Sequence, residues 1–139
     1  MNLPAVRQAI ADALQMDGVQ VSPYVLAQPT PPGIQIPPPS VSYSYTMGST
    51  GSGLNEWEFI IQGFVSLNSD IGAQQLLDDM CATSGSRSVR ALLEADRTLG
   101  GTVETLVVTV QDPGRQVEQP PGNPMLLVEW HVTIYAKGT

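Results

Sequence analysis

His131 is the single histidine of the chain, and the residues around it make it the first to weigh for chemistry. Glu129 lies two positions away, which on a strand means the same face. Glu56 and Glu58 belong to another long alternating stretch and are the carboxylates able to sit across from it. An imidazole beside a carboxylate is the smallest unit of general acid–base chemistry. The rest of a catalytic set is missing from the pattern. No serine stands in a G-x-S-x-G turn. With one histidine and one cysteine, Cys81, nitrogen and sulfur donors are too few for a metal centre. Asp78-Asp79 lacks calcium-loop spacing. The run GSTGSG, residues 48–53, leads into a strand and has no lysine after its glycines, so it does not cradle phosphate. His131 therefore reads as a surface or interface residue and Cys81 as a small buried group. The sequence predicts no enzyme and no cofactor.

The element that must position these groups is LNEWEFIIQGFVSL, residues 54–67. Trp57, Phe59, Ile61, Val65 and Leu67 share one parity, and Glu56, Glu58, Gln62 and Ser66 share the other. That alternation is a half-buried strand, about twice the usual length. Gly63 interrupts the apolar parity, which predicts a bulge or bend there. Ile60 and Phe64 fall on the wet parity, so a second layer, from this chain or another subunit, is expected over them. The mirror stretch is 125–136, where Leu126, Val128, Trp130, Val132 and Ile134 alternate with Glu129, His131, Thr133 and Tyr135. It is the expected neighbour of the long strand.

The remaining elements follow from periodicity and punctuation. Leu3, Val6, Ile10 and Leu14 form one helical face, with Asn2 as N-cap, Pro4 in the first turn and Gly18 as the stop; Arg7 and Asp12 fall on other faces. Val19, Val21 and Val25 suggest a short edge strand. Residues 28–40 hold six prolines and read as a stiff loop outside the sheet, except at Ile34–Ile36. Val41, Tyr43, Tyr45 and Met47 alternate with small polar residues as a strand that pairs with the long one across the 48–53 loop. A helix over 70–82, capped by Ser69, buries Ile71, Ala73, Leu76, Leu77 and Met80. A short helix capped by Ser86 buries Val89, Leu92 and Leu93, carries an Arg90–Glu94 pair and stops at Gly100-Gly101. Residues 102–111 form a strand with Leu106, Val108 and Val110 on one side, and residues 112–124 a long polar loop with four prolines. Helices between hairpin-connected strands predict one α+β domain over 1–139: an antiparallel β-sheet with helices packed on one face.

Totals narrow the function further. Thirteen acids against six bases give a net charge of −7, and Lys137 is the one lysine. Gripping nucleic acid without regard to sequence needs clustered cations, so no such binding is expected. No run is long enough to span a bilayer, and residues 1–15 lack the apolar core of a secretory signal. From Gly18 to Asn55 there is no charged residue. Such a stretch is either a neutral loop or a surface that a partner covers.

The run SGSRSVRALLEADRTLGG, residues 84–101, followed by a valine-rich strand, resembles the tail terminator proteins of long-tailed actinobacterial phages. The order of elements resembles them along nearly the whole chain: a first helix ending near AIADAL, a proline-rich neutral loop, a strand with the aromatic–acid alternation NEWEF, a helix before the motif, then a glycine/proline loop and an apolar last strand ending at Tyr135-Ala136. The resemblance implies a subunit of a ring, usually a hexamer, that caps the finished tail tube, stops its polymerisation and meets the head-closure or neck protein while DNA passes through. It implies a virion protein at the tail–neck junction, assembled in the host cytoplasm. A closed ring needs two different patches on each subunit. The candidates are Tyr43 and Tyr45 on the aromatic strand, Ile60 and Phe64 on the long strand, the two proline-rich loops, and Arg115, placed to reach an acid on a neighbour. Two other readings stay open: another neck component, such as a head-closure protein, and a monomeric ligand- or peptide-binding module.

Overall fold

The computed structural model of the chain describes residues 2–26, 31–42, 54–67, 71–112, 114–118 and 124–137. Two long strands dominate it: β4, Leu54–Ser66, and β7, Pro124–Lys137. They pair antiparallel over 13 consecutive residue partners, from Leu54↔Lys137 to Ser66↔Met125. Shorter strands extend both sides. On the β4 side lie β1 (Gln20–Ser22), β2 (Gly33–Gln35) and β3 (Ser40–Ser42); on the β7 side lie β5 (Thr105–Gln111) and β6 (Arg115–Glu118). The main path through the sheet is β1-β2-β4-β7-β5, with β3 also on β4 and β6 also on β7.

The chain is α+β, as its periodicities predict, but the sheet is mixed. β1 runs parallel to β2, and the other pairs are antiparallel. A parallel pair needs a crossover rather than a hairpin. β2 overlaps Ile34–Ile36, the stretch that the sequence sets apart from the proline-rich loop, and it is a fully buried strand. The polar stretch 112–124 contains a strand, β6, where a loop is expected.

Helix α1, Leu3–Ala13, begins where Asn2 Oδ1 accepts the Ala5 N–H at 3.2 Å. Helix α2 is Ile71–Cys81 and α3 is Val89–Glu94. The cap of α3 is Ser88 rather than Ser86: its Oγ accepts from Ala91 N at 3.1 Å and donates to the Ala82 carbonyl. The double-glycine stop takes Leu99, Gly100 and Gly101 through positive φ, with the Asp96 carboxylate accepting from Thr98 N and Gly100 N. Leu99 tolerates φ 50° because its side chain is anchored in the core.

One apolar cluster gathers Val6 and Ile10 of α1 and Leu14 at its C-cap, Leu77 and Met80 of α2, and Val89 and Leu93 of α3. Phe59, Ile61 and Val65 of β4 join it, as do Val128, Trp130, Val132 and Ile134 of β7. This is the parity expected of both strands. Trp57 is only partly buried against the cluster. Ile71, expected inside, is 71% exposed at the first turn of α2. Arg7 is nearly buried. Its Nη1 donates to the carbonyls of Pro23 at 2.8 Å and Ile36 at 2.7 Å, and its guanidinium lies 4.7 Å from the Tyr24 ring centre.

Gly63 makes no bulge, because the β4–β7 register runs straight through Gly63↔Val128. Its role is space. A Cβ at this position would stand 2.7 Å from Cζ3 of Trp130 and 3.0 Å from Cε of Met80. The bulge lies in β5 instead, between Val108 and Val110, and it turns Val110 outward to 51% exposure.

Two substitutions test this packing. Trp130→Ala is expected to cost about 3–5 kcal/mol, since the whole ring is withdrawn from a closed core. Gly63→Ala adds one methyl and is expected to cost about 1–3 kcal/mol through overpacking. Urea denaturation reads both; an alanine at 63 that leaves the midpoint unchanged would show that the Trp130 ring yields.

Candidate functional site on the second face of the sheet

The other parity of β4 and β7 forms a second face. Ile60 stands opposite His131, Gln62 opposite Glu129, and Phe64 opposite Leu127. Side chains here are held by each other.

His131 is the hub. Its Nδ1 lies 2.7 Å from Glu58 Oε1, and its Nε2 lies 2.8 Å from Asp112 Oδ2. Glu58 is directly opposite Thr133, so it reaches His131 on the diagonal, a span that a long side chain covers. Asp112 stands just past the end of β5, where its own N–H donates to the Glu129 carbonyl at 2.8 Å. Three strands therefore set the two carboxylates and the ring. The hydrogen bond to Glu58 first, and that to Asp112 next, raise the imidazole above its ordinary pKa despite partial burial. The protonated ring donates to both carboxylates, whereas a neutral ring has one N–H and serves one. In this arrangement neither nitrogen is free to take a substrate proton. The carboxylates also sit on opposite nitrogens, so one ion cannot be bound by all three groups, and among the described residues no cluster of three His, Cys, Asp or Glu has metal-binding geometry.

Beside this hub runs a chain of amides. Gln35 of β2 accepts from Leu26 N at 3.3 Å and donates to Gln62 Oε1 at 2.8 Å. Gln62 donates to Glu129 Oε2 at 2.8 Å, and the other Glu129 oxygen lies 3.4 Å from Arg115 Nη2. Below it, Phe64, Met125 and Leu127, with Val117 against them, make a second, small apolar cluster. These residues, with Gln35, Gln62 and Arg115, line an open cleft of about 180 Å³.

Of the five predicted interface residues, Tyr43 and Tyr45 lie outside the described residues, as does the 48–53 loop. Ile60 is on the second face and partly exposed, as expected. Phe64 faces the same way, but it is 3% exposed. Its second layer comes from its own chain, so its ring is not free surface. Arg115, placed on β6, pairs with Glu129 of its own chain instead of waiting unpaired for a neighbour. The pairing of His131 with a glutamate was legible from parity. Asp112 was not, because it looks like the start of a loop. The Gln35–Gln62–Glu129 chain was also missed; its signal was that Gln62 and Glu129 share the wet parity. Cys81 is half-buried, and burial, with Asp78 adding to it, pushes its thiol up to about 11, far from a nucleophile's range.

No protein-family model matches the chain, and no curated protein matches it.

The His131 hub gives the protein a pH-dependent increment of stability. Its folded pKa is raised, so the increment is whole below the unfolded value of about 6.5 and is lost as pH rises through the folded value. The stability gap between wild type and His131→Gln is expected to be widest below the unfolded value of about 6.5 and to shrink as pH rises through the folded value. Glu58→Gln is expected to lower the His131 titration midpoint seen by NMR; an unmoved midpoint would contradict the geometry.

Proposed function

We propose that this chain is a structural virion protein, a tail terminator of a long-tailed actinobacterial phage. In this reading, copies form a ring on the finished tail tube, stop its growth and offer the surface that the head's neck joins. The observation that carries the reading is the resemblance of Ser84–Gly101, in order with the elements around it.

The geometry supports it in three ways. The polar groups of the second face are engaged with one another, an arrangement suited to a shaped surface rather than to turnover. The clefts beside β5 and beneath the Gln35–Gln62–Glu129 chain are open rather than enclosed, where small-ligand sites bury most of their ligand. The α3 unit, Ser88 to Gly101, is built by caps and tight turns and so acts as a rigid support. A net charge of −7 suits a conduit through which DNA slides.

The test is genetic. Deleting the gene from the parent phage is expected to give tails of uncontrolled length. Tails of normal length beside open heads would instead make the chain a head-closure protein. Ile60→Lys is expected to leave the subunit folded by circular dichroism yet fail to restore tail length; full rescue by this variant would remove the second face from the assembly surface. A ligand-binding module would leave virion morphology untouched.

A further inference from the structure

The chain of amides on the second face has a direction. Gln35, Gln62 and Glu129 are direct cross-strand partners, so they stand in one row across β2, β4 and β7. An ionised carboxylate only accepts and a backbone N–H only donates. Glu129 therefore accepts from Gln62 Nε2 at 2.8 Å, which leaves Gln62 Oε1 toward β2. That oxygen accepts from Gln35 Nε2 at 2.8 Å, and Gln35 Oε1 in turn accepts the Leu26 N–H at 3.3 Å. Turning both amides over would set a donor against the Leu26 N–H and an oxygen against the carboxylate. Both end contacts would then repel. The row has one arrangement, and its two ends fix it together.

Those ends lie in different parts of the molecule. Leu26 lies between β1 and β2, on the approach to the proline-rich stretch 28–40. Glu129 is met from the other side by Arg115, the first residue of β6, in the second proline-rich stretch, 112–124. β2 pairs with β4 and β6 with β7, so no backbone ladder joins β2 to β6. Side chains make the link.

The members differ in how easily they are moved. Gln35 is 7% exposed, so its amide has little water to fall back on and a lost partner there is costly. Arg115 is the loose end. Its side chain is 61% exposed, and its 3.4 Å pair with Glu129 is of the surface kind that contributes little. Glu129, at 16% exposure, stands between them with one oxygen for each side. Without Arg115 its carboxylate regains rotamer freedom, and hydrogen bonds that polarise one another weaken along the whole row. Arg115 is also the end that an acid from outside can reach.

We propose that the Gln35–Gln62–Glu129 row couples the two proline-rich stretches: the hold on Leu26 depends on whether Arg115 is paired with Glu129, and drawing Arg115 away loosens the connection between β1 and β2. The coupling belongs to the folded subunit and stands apart from the ring reading. Within that reading it gives a contact made at one candidate loop an effect at the other.

Amide hydrogen exchange, read residue by residue by NMR on the whole chain, tests it. Arg115→Ala is expected to speed exchange at Leu26 about twofold or more, and Glu129→Ala about fivefold or more, with the core amides of Phe59 and Val132 unchanged. The Gln35 side-chain amide resonances are expected to shift in Arg115→Ala, with two members of the row between the residues. With Gln62→Leu already in place, Arg115→Ala is expected to leave Leu26 unmoved, because the row is cut. Unchanged Leu26 exchange in Arg115→Ala overturns the coupling. An equal rise at Phe59 and Val132 reports loosening of the whole fold and also overturns it. So does an Arg115→Ala effect that survives Gln62→Leu, since it would bypass the row. Tail length in the deletion strain reads the ring proposal separately.

Discussion

The approach of the Trp130 ring to the bare backbone of Gly63 is the contact on which the rest of the structure depends. Ile61 lies directly opposite Trp130, and the ring reaches one pair further, over the position where a side chain is missing. Aromatic bulk on β7 and a glycine on β4 interlock only in one register. A slip of β4 by one residue along β7 would turn its side chains to the wrong face of a 13-pair ladder. It would expose Phe59 and Ile61 and drive Glu58 and Gln62 into the core. The two long strands are therefore locked at their middle, and the five short strands need only read an edge already fixed.

That lock explains what was legible in the sequence. Alternation over Trp57–Val65 and Leu126–Ile134 specifies two faces, and any pairing that keeps both core faces together puts Glu58 and His131 on the same face; the observed register brings them within reach. Strand identity, the α+β class and the presence of the three helices follow from periodicity alone. What periodicity does not carry is partner choice at the edges. A three-residue strand such as Gly33–Gln35 has no readable period, and its neighbours are prolines. Its membership in the sheet comes from the unpaired edge of β4, a tertiary fact. β6 is hidden for the same reason: Gly and Pro flank it, and β7 recruits it. Val110 looks like a core residue by parity until the bulge at Val108 inverts it. Ile71 has the right helical spacing but lies in the first turn of α2, away from Leu77 and Met80.

Gly63 shows how one residue supports two opposite readings. A glycine in a strand marks either a backbone irregularity or a close approach of something large. Sequence alone favours the bulge, because the partner is 67 positions away and cannot be seen. The straight register and the position of Cζ3 decide for the close approach.

Charge placement carries the same economy to the surface. Arg7 is satisfied by two carbonyls and an aromatic face, Arg90 and Arg97 share Glu94, and Arg115 is matched to Glu129. Most of the few cations are thus already engaged, while 13 acids leave the balance strongly negative. Binding phosphate releases counterions only where free cations replace them, and each engaged arginine would first have to abandon its partner. A surface of this kind repels a passing polyanion rather than holding it. Arg90 and Arg97 divide one carboxylate, that of Glu94, with the Val108 amide, and an acid shared three ways neutralises each donor less than a dedicated one.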